Sequence, residues 1–278
     1  MLRRLNVLVS YGTLGARCAE VLRPDWDVLL DSGAFTNFNA KRDVVTLPAY
    51  ANFLTEYGRG FWRYMNLDKI GDGDTGRRHF EMLRARGLTP VPVYQRGSPL
   101  SELVDMGHAS DLVGVGGLAT KGRTGKVDFI HAVSAFARAR GIRLHLLGSG
   151  HFQRLKTVRP FSSDCSDHND VGRYGNIRIW DPRRRVDVDV RGYASITHPK
   201  ATPMSLELAQ IMKFYGITLA QWRDRDWWSS APGRRVALLA RFHKAECLER
   251  LGVKFFIAVG DAEETANVWD EYVAARAA

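Results

Sequence analysis

Three carboxylates and one amide close apolar runs in this sequence: Asp31 ends "VLLD", Asp68 ends "NLD", Gln95 ends "VPVYQ" and Asp164 ends "FSSD", with Gly116-Gly117 closing "LVGVGG". A charged group at the mouth of a core strand needs a partner or a task, because desolvating a lone carboxylate costs several kcal/mol or neutralises it. Two carboxylates that face a glycosidic carbon can carry out a double displacement. One attacks the anomeric centre and the other handles the proton, at a separation of about 5 Å. A third carboxylate with an amide can read a purine edge, since Asp and Gln match the N–H donors and carbonyl acceptor of a guanine-like ring and a glycine N–H completes the set. A simpler reading of Asp31 alone is an Asx turn ahead of Gly33.

Such groups must be carried by strands that end at one place. Apolar strand candidates recur at Leu5–Ser10, Val28–Asp31, Phe61–Asp68, Val91–Gln95, Leu112–Gly116, Leu144–Gly148 and Phe161–Asp164, with an eighth at Lys254–Gly260. Helical stretches separate them. "RRHFEMLRARG" (77–87) and "VDFIHAVSAFARARG" (127–141) end in basic turns and a glycine, as helices do. Alternating strand and helix predicts an α/β fold, and eight strands predict a (β/α)8 TIM-type barrel as one domain over 1–278, with a basic β-hairpin insertion and a helical C-terminal region. A doubly wound open sheet is the alternative, but "SYGTLGAR" only loosely approximates the glycine motif expected after its first strand. A barrel gathers all its strand ends at one mouth.

The 278 residues include 45% hydrophobic ones, enough for a core, and no apolar run approaches the length of a membrane span. "MLRRLNVLVSYGTLG" lacks a signal-peptide core, so a cytoplasmic protein is expected. Cys18, Cys165 and Cys247 lie far apart, which argues against a disulfide framework or a zinc cluster, and no metal or cofactor is expected. The formal charge of +10 favours a polyanionic partner. Its densest block is "RYGNIRIWDPRRRVDVDVRGY" (173–193), where Arg173, Arg178, Arg183, Arg184 and Arg185 stand among Tyr174, Trp180 and Tyr193. Arginine holds phosphates bidentately and aromatic faces stack on bases, while a solvated hairpin turned at Asp181-Pro182 fits the same residues.

"DSGAF" (31–35), "NLD" (66–68), "VYQRG" (93–97), "VGGLA" (115–119), "HLLGSG" (145–150) and "SDC" (163–165) follow the order and approximate spacing of the tRNA-guanine transglycosylase superfamily, which the chain resembles over about residues 28–165. The resemblance implies that Asp164 is the nucleophile attacking C1′ of a guanosine and that Asp31 is the general acid/base. It implies that Asp68 and Gln95 read the pyrimidine edge of the base with Gly117 offering backbone, and that Phe35 and Leu147 sandwich the ring, with Ser32, Gly116 and Leu118 among the base-binding positions. The zinc site of the tRNA enzymes has no counterpart after Cys165, and the chain is shorter than theirs. In its lack of the zinc insertion and in the "DSGAF" spelling it is more similar to the compact phage-type branch that places queuosine-related 7-deazaguanines into DNA. The implied partners are DNA, with tRNA as the alternative, and a free 7-deazaguanine base. The implied location is the cytoplasm, the host's for a phage protein.

Other residues have plainer readings. His145 reads as a hydrogen-bonded structural histidine, "GSGHF" (148–152) as a phosphate cradle or an ordinary loop, and "SDHND" (166–170) as a solvated loop rather than a metal site. "DRDWW" (224–228) reads as packing, and Cys165 as a small buried neighbour. Two further functions compete: a catalytically idle nucleic-acid-binding barrel and a glycoside hydrolase. The first has no need of Asp31 and Asp164 on separate strands. The second has no use for a charge of +10.

Overall fold

The computed structural model describes residues 4–118, 125–165, 176–191 and 206–277. Ten strands lie there: β1 (Leu5–Ser10), β2 (Trp26–Asp31), β3 (Arg63–Tyr64), β4 (Val93–Gln95), β5 (Val113–Gly116), β6 (Leu144–Leu146), β7 (Ser162–Cys165), β8 (Asn176–Asp181), β9 (Val186–Arg191) and β10 (Lys254–Ala258). Eight of them form one parallel sheet in the order β3-β2-β1-β10-β7-β6-β5-β4. Each neighbour is thus the next sheet strand in sequence, apart from the step between the chain's first and last, β1 and β10.

The sheet curls. Its two edge strands, β3 and β4, share no regular ladder. One isolated bridge, Met65 with Val91, spans the gap, with Asn66 N–H on Val91 O at 2.9 Å and Val91 N–H on Tyr64 O at 2.8 Å. The fully laddered barrel expected from the sequence is therefore met in part, as an eight-stranded parallel α/β sheet with an incomplete seam. The expected strand Phe61–Asp68 shrinks to two residues for a local reason: Asp68 N–H turns back onto Asn66 O, and Asn66 Nδ2 is taken by Gly76 O of the helix Gly73–Ala85.

Side chains of the sheet alternate between two cores, as the period of a strand requires. Val7, Val9, Val28, Leu30, Phe255 and Ile257 join the large core shared with the helices. Leu8, Leu29, Met65, Val91, Val93, Leu112 and Phe256 form a second core on the concave side. Two clusters from one set of strands are what a parallel sheet wrapped by helices produces, and burial on both faces explains why the strands read as unbroken apolar runs.

β8 and β9 pair with each other in an antiparallel hairpin whose turn starts at Asp181-Pro182, as the sequence suggests. Asp181 Oδ1 accepts the N–H groups of Arg183 and Arg184 at 2.9 and 3.1 Å and shapes that turn. The C-terminal region is helical around β10, its longest helix being Ala231–Glu249. Trp228 is buried edge-on against Trp222 and Trp227, in keeping with packing. No described helix is long and apolar enough to cross a membrane.

Candidate active site

The concave core has a polar layer above it, one strand period further along each chain segment. Ser10, Asp31, Gln95, Gly116, Leu147 and Asp164 stand two residues beyond Leu8, Leu29, Val93, Gly114, His145 and Ser162. In parallel strands that step leads toward the carboxyl ends, where substrate groups of such sheets collect.

Asp164, 7% exposed, is held on one oxygen only. His145 Nε2 lies 3.0 Å and Gly148 N 2.8 Å from Oδ1, and no hydrogen bond from the described residues reaches Oδ2. Ser162 Oγ sits 2.9 Å from His145 Nδ1. A neutral imidazole with its proton on Nε2 satisfies both contacts, with Ser162 donating to Nδ1 and Nε2–H donating to Asp164. His145 is thus hydrogen-bonded and fully buried as expected, but its partner is the candidate nucleophile, which the sequence pattern does not indicate. The signal lies in register: His145 and Asp164 are on adjacent strands, and β6 pairs His145 with Ser162.

Asp31 is built the same way. Ser10 Oγ and Gly33 N donate to Oδ2 at 2.8 and 3.0 Å, while Oδ1 takes no hydrogen bond from the described residues. The Asx turn is therefore present, and it serves to hold the carboxylate by one oxygen. Gly33 adopts φ +92°, and a side chain there would meet Gly12 Cα at 2.5 Å, so only glycine lets the strand turn so closely past its neighbour. Burial raises the Asp31 pKa, the Asp164 charge raises it further, and the bonds from Ser10 and Gly33 oppose them. Ser10 is the second residue that the sequence pattern does not single out.

Asp68 and Gln95 meet across the incomplete seam, Gln95 Nε2 donating to Asp68 Oδ2 at 2.5 Å. Burial, then the charge of Asp31, pushes the Asp68 carboxyl up to about 7. The other end of the amide, Gln95 Oε1, is buried with no partner among the described residues, as is Ser32 Oγ. Buried acceptors without donors are uncommon in folded proteins and call for a water, an ion or a ligand to complete the set. Gly116 leaves room for this amide, since a Cβ there would lie 2.7 Å from Gln95 Nε2.

The remaining candidates divide. Gly117 takes φ +72° at the end of β5, Leu118 is buried beside it, and Leu147 packs half-buried on the concave core. Phe35 is 48% exposed and its ring stacks on Phe38, centroids 6.3 Å apart, so the ring stands at the rim rather than in the core. Arg183, Arg184 and Arg185 are exposed on the hairpin turn. Arg178 lies in β8 opposite Asp189, and Arg173 and the 166–170 loop fall outside the described residues. Of the 148–152 segment, Gly148 N donates to Asp164 and Phe152 N to Asp187 Oδ2 at 2.9 Å, so these two N–H groups are taken by carboxylates. Among the described residues no group of three or more His, Cys, Asp or Glu is placed to hold a metal ion. Comparison with family models and with curated proteins finds no match for the chain.

Proposed function

We propose that this protein is a base-exchange transglycosylase of the tRNA-guanine transglycosylase type, built on a (β/α)8-type barrel, that replaces guanine in DNA with a 7-deazaguanine. The observation that carries the reading is the pair of carboxylates held by one oxygen each, beside a third carboxylate and an amide whose acceptor has no partner among the described residues, brought together from four separate segments of the chain. The motif order over residues 28–165 supports it.

Asp164 attacks C1′ with Oδ2, the oxygen left open by His145 and Gly148. The C1′–N9 bond breaks as the Asp164–C1′ bond forms, and the leaving guanine takes a proton from Asp31. The raised pKa of Asp31 suits it to carry that proton, and the negative Asp164 beside it contributes to the rise. An incoming 7-deazaguanine then gives its N9 proton back to Asp31 and attacks C1′, releasing Asp164. Gln95 Oε1 and Asp68 accept from the N1–H and exocyclic amine of the base, so a purine without those donors leaves buried acceptors unpaired, at about 1–3 kcal/mol each. Phe35 and Leu147 bracket the ring, and the basic hairpin holds phosphates.

The test is incubation with labelled guanine and either duplex DNA or tRNA. Label in DNA is the expected result. Label confined to tRNA moves the substrate to the alternative polymer, and label in neither removes the transglycosylase reading.

A further inference from the structure

Asp187 of β9 is a buried carboxylate outside the candidate site, its side chain 3% exposed. It has three neighbours from two other parts of the chain. Phe152 N donates to Oδ2 at 2.9 Å, Lys244 Nζ lies 2.7 Å from Oδ1, and Arg241 Nη1 lies 3.8 Å from the same oxygen. Lys244, itself fully buried, also donates to the carbonyl of Gly150. A buried ion cluster contributes little net stability, but removing one member leaves an uncompensated charge, so its geometry is strongly enforced.

What this cluster fixes is a loop. Gly150 O and Phe152 N bracket the same short segment whose first residue, Gly148, gives its N–H to Asp164 Oδ1. Ser163 Oγ reaches Ser149 O at 2.7 Å from the strand of the nucleophile, and Trp180 of β8 packs its ring on Phe152, centroids 4.6 Å apart. Both strands of the hairpin therefore bear on the loop. Nothing in the proposed chemistry uses Asp187, Lys244 or Arg241.

We propose that Asp187 is a positioning residue for the nucleophile: it holds the 148–152 loop, directly at Phe152 and through Lys244 at Gly150, so that Gly148 presents its N–H to one oxygen of Asp164. The hairpin then has two separable duties. Its turn, with Arg183, Arg184 and Arg185, meets the polymer, whereas its inner face sets the reacting carboxylate. The inference rests on the transglycosylase reading for its kinetic arm only.

The experiment compares the parent with Asp187→Asn, which keeps size and an acceptor but loses the charge facing Lys244, and with Leu248→Ala, a core cavity elsewhere in the Ala231–Glu249 helix. Hydrogen exchange of a peptide spanning 147–152 and steady-state base transfer are measured on each. Asp187→Asn is expected to speed exchange in that peptide about tenfold and to lower kcat by on the order of tenfold to a hundredfold with KM for the polymer unchanged. Leu248→Ala should lower Tm and move neither readout. Parental exchange and kcat in Asp187→Asn, or equal losses in Leu248→Ala, overturn the proposal. A parent that transfers no base removes the functional reading, and the exchange arm then decides alone whether Asp187 sets the loop.

Discussion

His145 Nε2 lies 3.0 Å from Asp164 Oδ1, and the ring's other nitrogen is closed by Ser162, so the imidazole has one tautomer that satisfies both sides. Replacing it with Phe keeps bulk, takes away the Ser162 Oγ contact and leaves Asp164 Oδ1 with the Gly148 N–H alone. His145→Phe is expected to lose about 1–3 kcal/mol in urea unfolding, mainly for the buried Ser162 hydroxyl. Base transfer should fall further than a change in folded fraction explains, because Asp164 loses one of the two donors that fix its Oδ1. A variant with parental stability and parental transfer would show that the contact orients nothing.

Asp164→Ala is expected to abolish base exchange while nucleic-acid binding survives, since the covalent step needs a carboxylate and phosphate contacts do not. Denaturing gels of the parent with polymer substrate should show a protein–polymer adduct. The same adduct in the Ala variant would remove Asp164 from the nucleophile's role.

Asp68 gives a pH signature. Its carboxyl is pushed up to about 7 in the fold from an ordinary value of 3.8, mainly by burial and then by Asp31. Between those values the folded state binds more protons than the unfolded one, so this group makes stability fall as pH rises from about 4 to about 7, with no further change above. Asp68→Asn removes the titration and keeps an acceptor for Gln95. The variant's stability relative to the parent should therefore improve from pH 4 to pH 8, by about 1.4 kcal/mol for each pH unit of displacement. A difference independent of pH in urea titrations would contradict this.

The sheet strands and their order were legible because burial on both faces writes unbroken apolar runs, and the four polar strand ends stood out against them. Strand length at β3 was not, because Asn66 and Leu67 are extended by pattern yet drawn off by Gly76 and His79 of the next helix. Ser10 and His145 were hidden for another reason. A lone serine or histidine carries no periodic signal, and its importance appears only once strand register places Ser10 opposite Asp31 and His145 opposite Ser162. Asp187 reads as one charge in a solvated hairpin, since sequence does not reveal that Lys244, 57 positions on, is buried against it.

Arg183, Arg184 and Arg185 replaced together by Ala should flatten the dependence of log affinity on log salt by roughly 0.7–0.9 for each phosphate the turn no longer holds. Saturating polymer should restore most of the turnover, because groups that only hold the backbone contribute equally to ground and transition states. An unchanged salt slope would return the turn to a solvated role.

Gly116→Ala places a methyl 2.7 Å from Gln95 Nε2 and 2.9 Å from Val93 Cγ1. The amide has to swing off Asp68, so preference for guanine over hypoxanthine as incoming base should drop by about tenfold with polymer affinity unchanged. Parental preference in competition assays would place the base elsewhere.

The incomplete seam between β3 and β4 has a mechanical consequence. β1 and β2 are tied along six residue pairs, whereas the seam has one bridge and, above it, the Gln95–Asp68 side-chain bond. A ring with one weak joint widens there first, so thermal breathing of the mouth is directed at the Gln95–Asp68 pair and spares the Asp31–Asp164 side. Amides of Asn66 and Val91 should accordingly exchange with solvent well before those of Val7 and Val9. On the transglycosylase reading, that breathing gives room for bulkier 7-substituents without disturbing the carboxylates, and a base bound to both Gln95 and Asp68 would be the clasp that draws the ring shut.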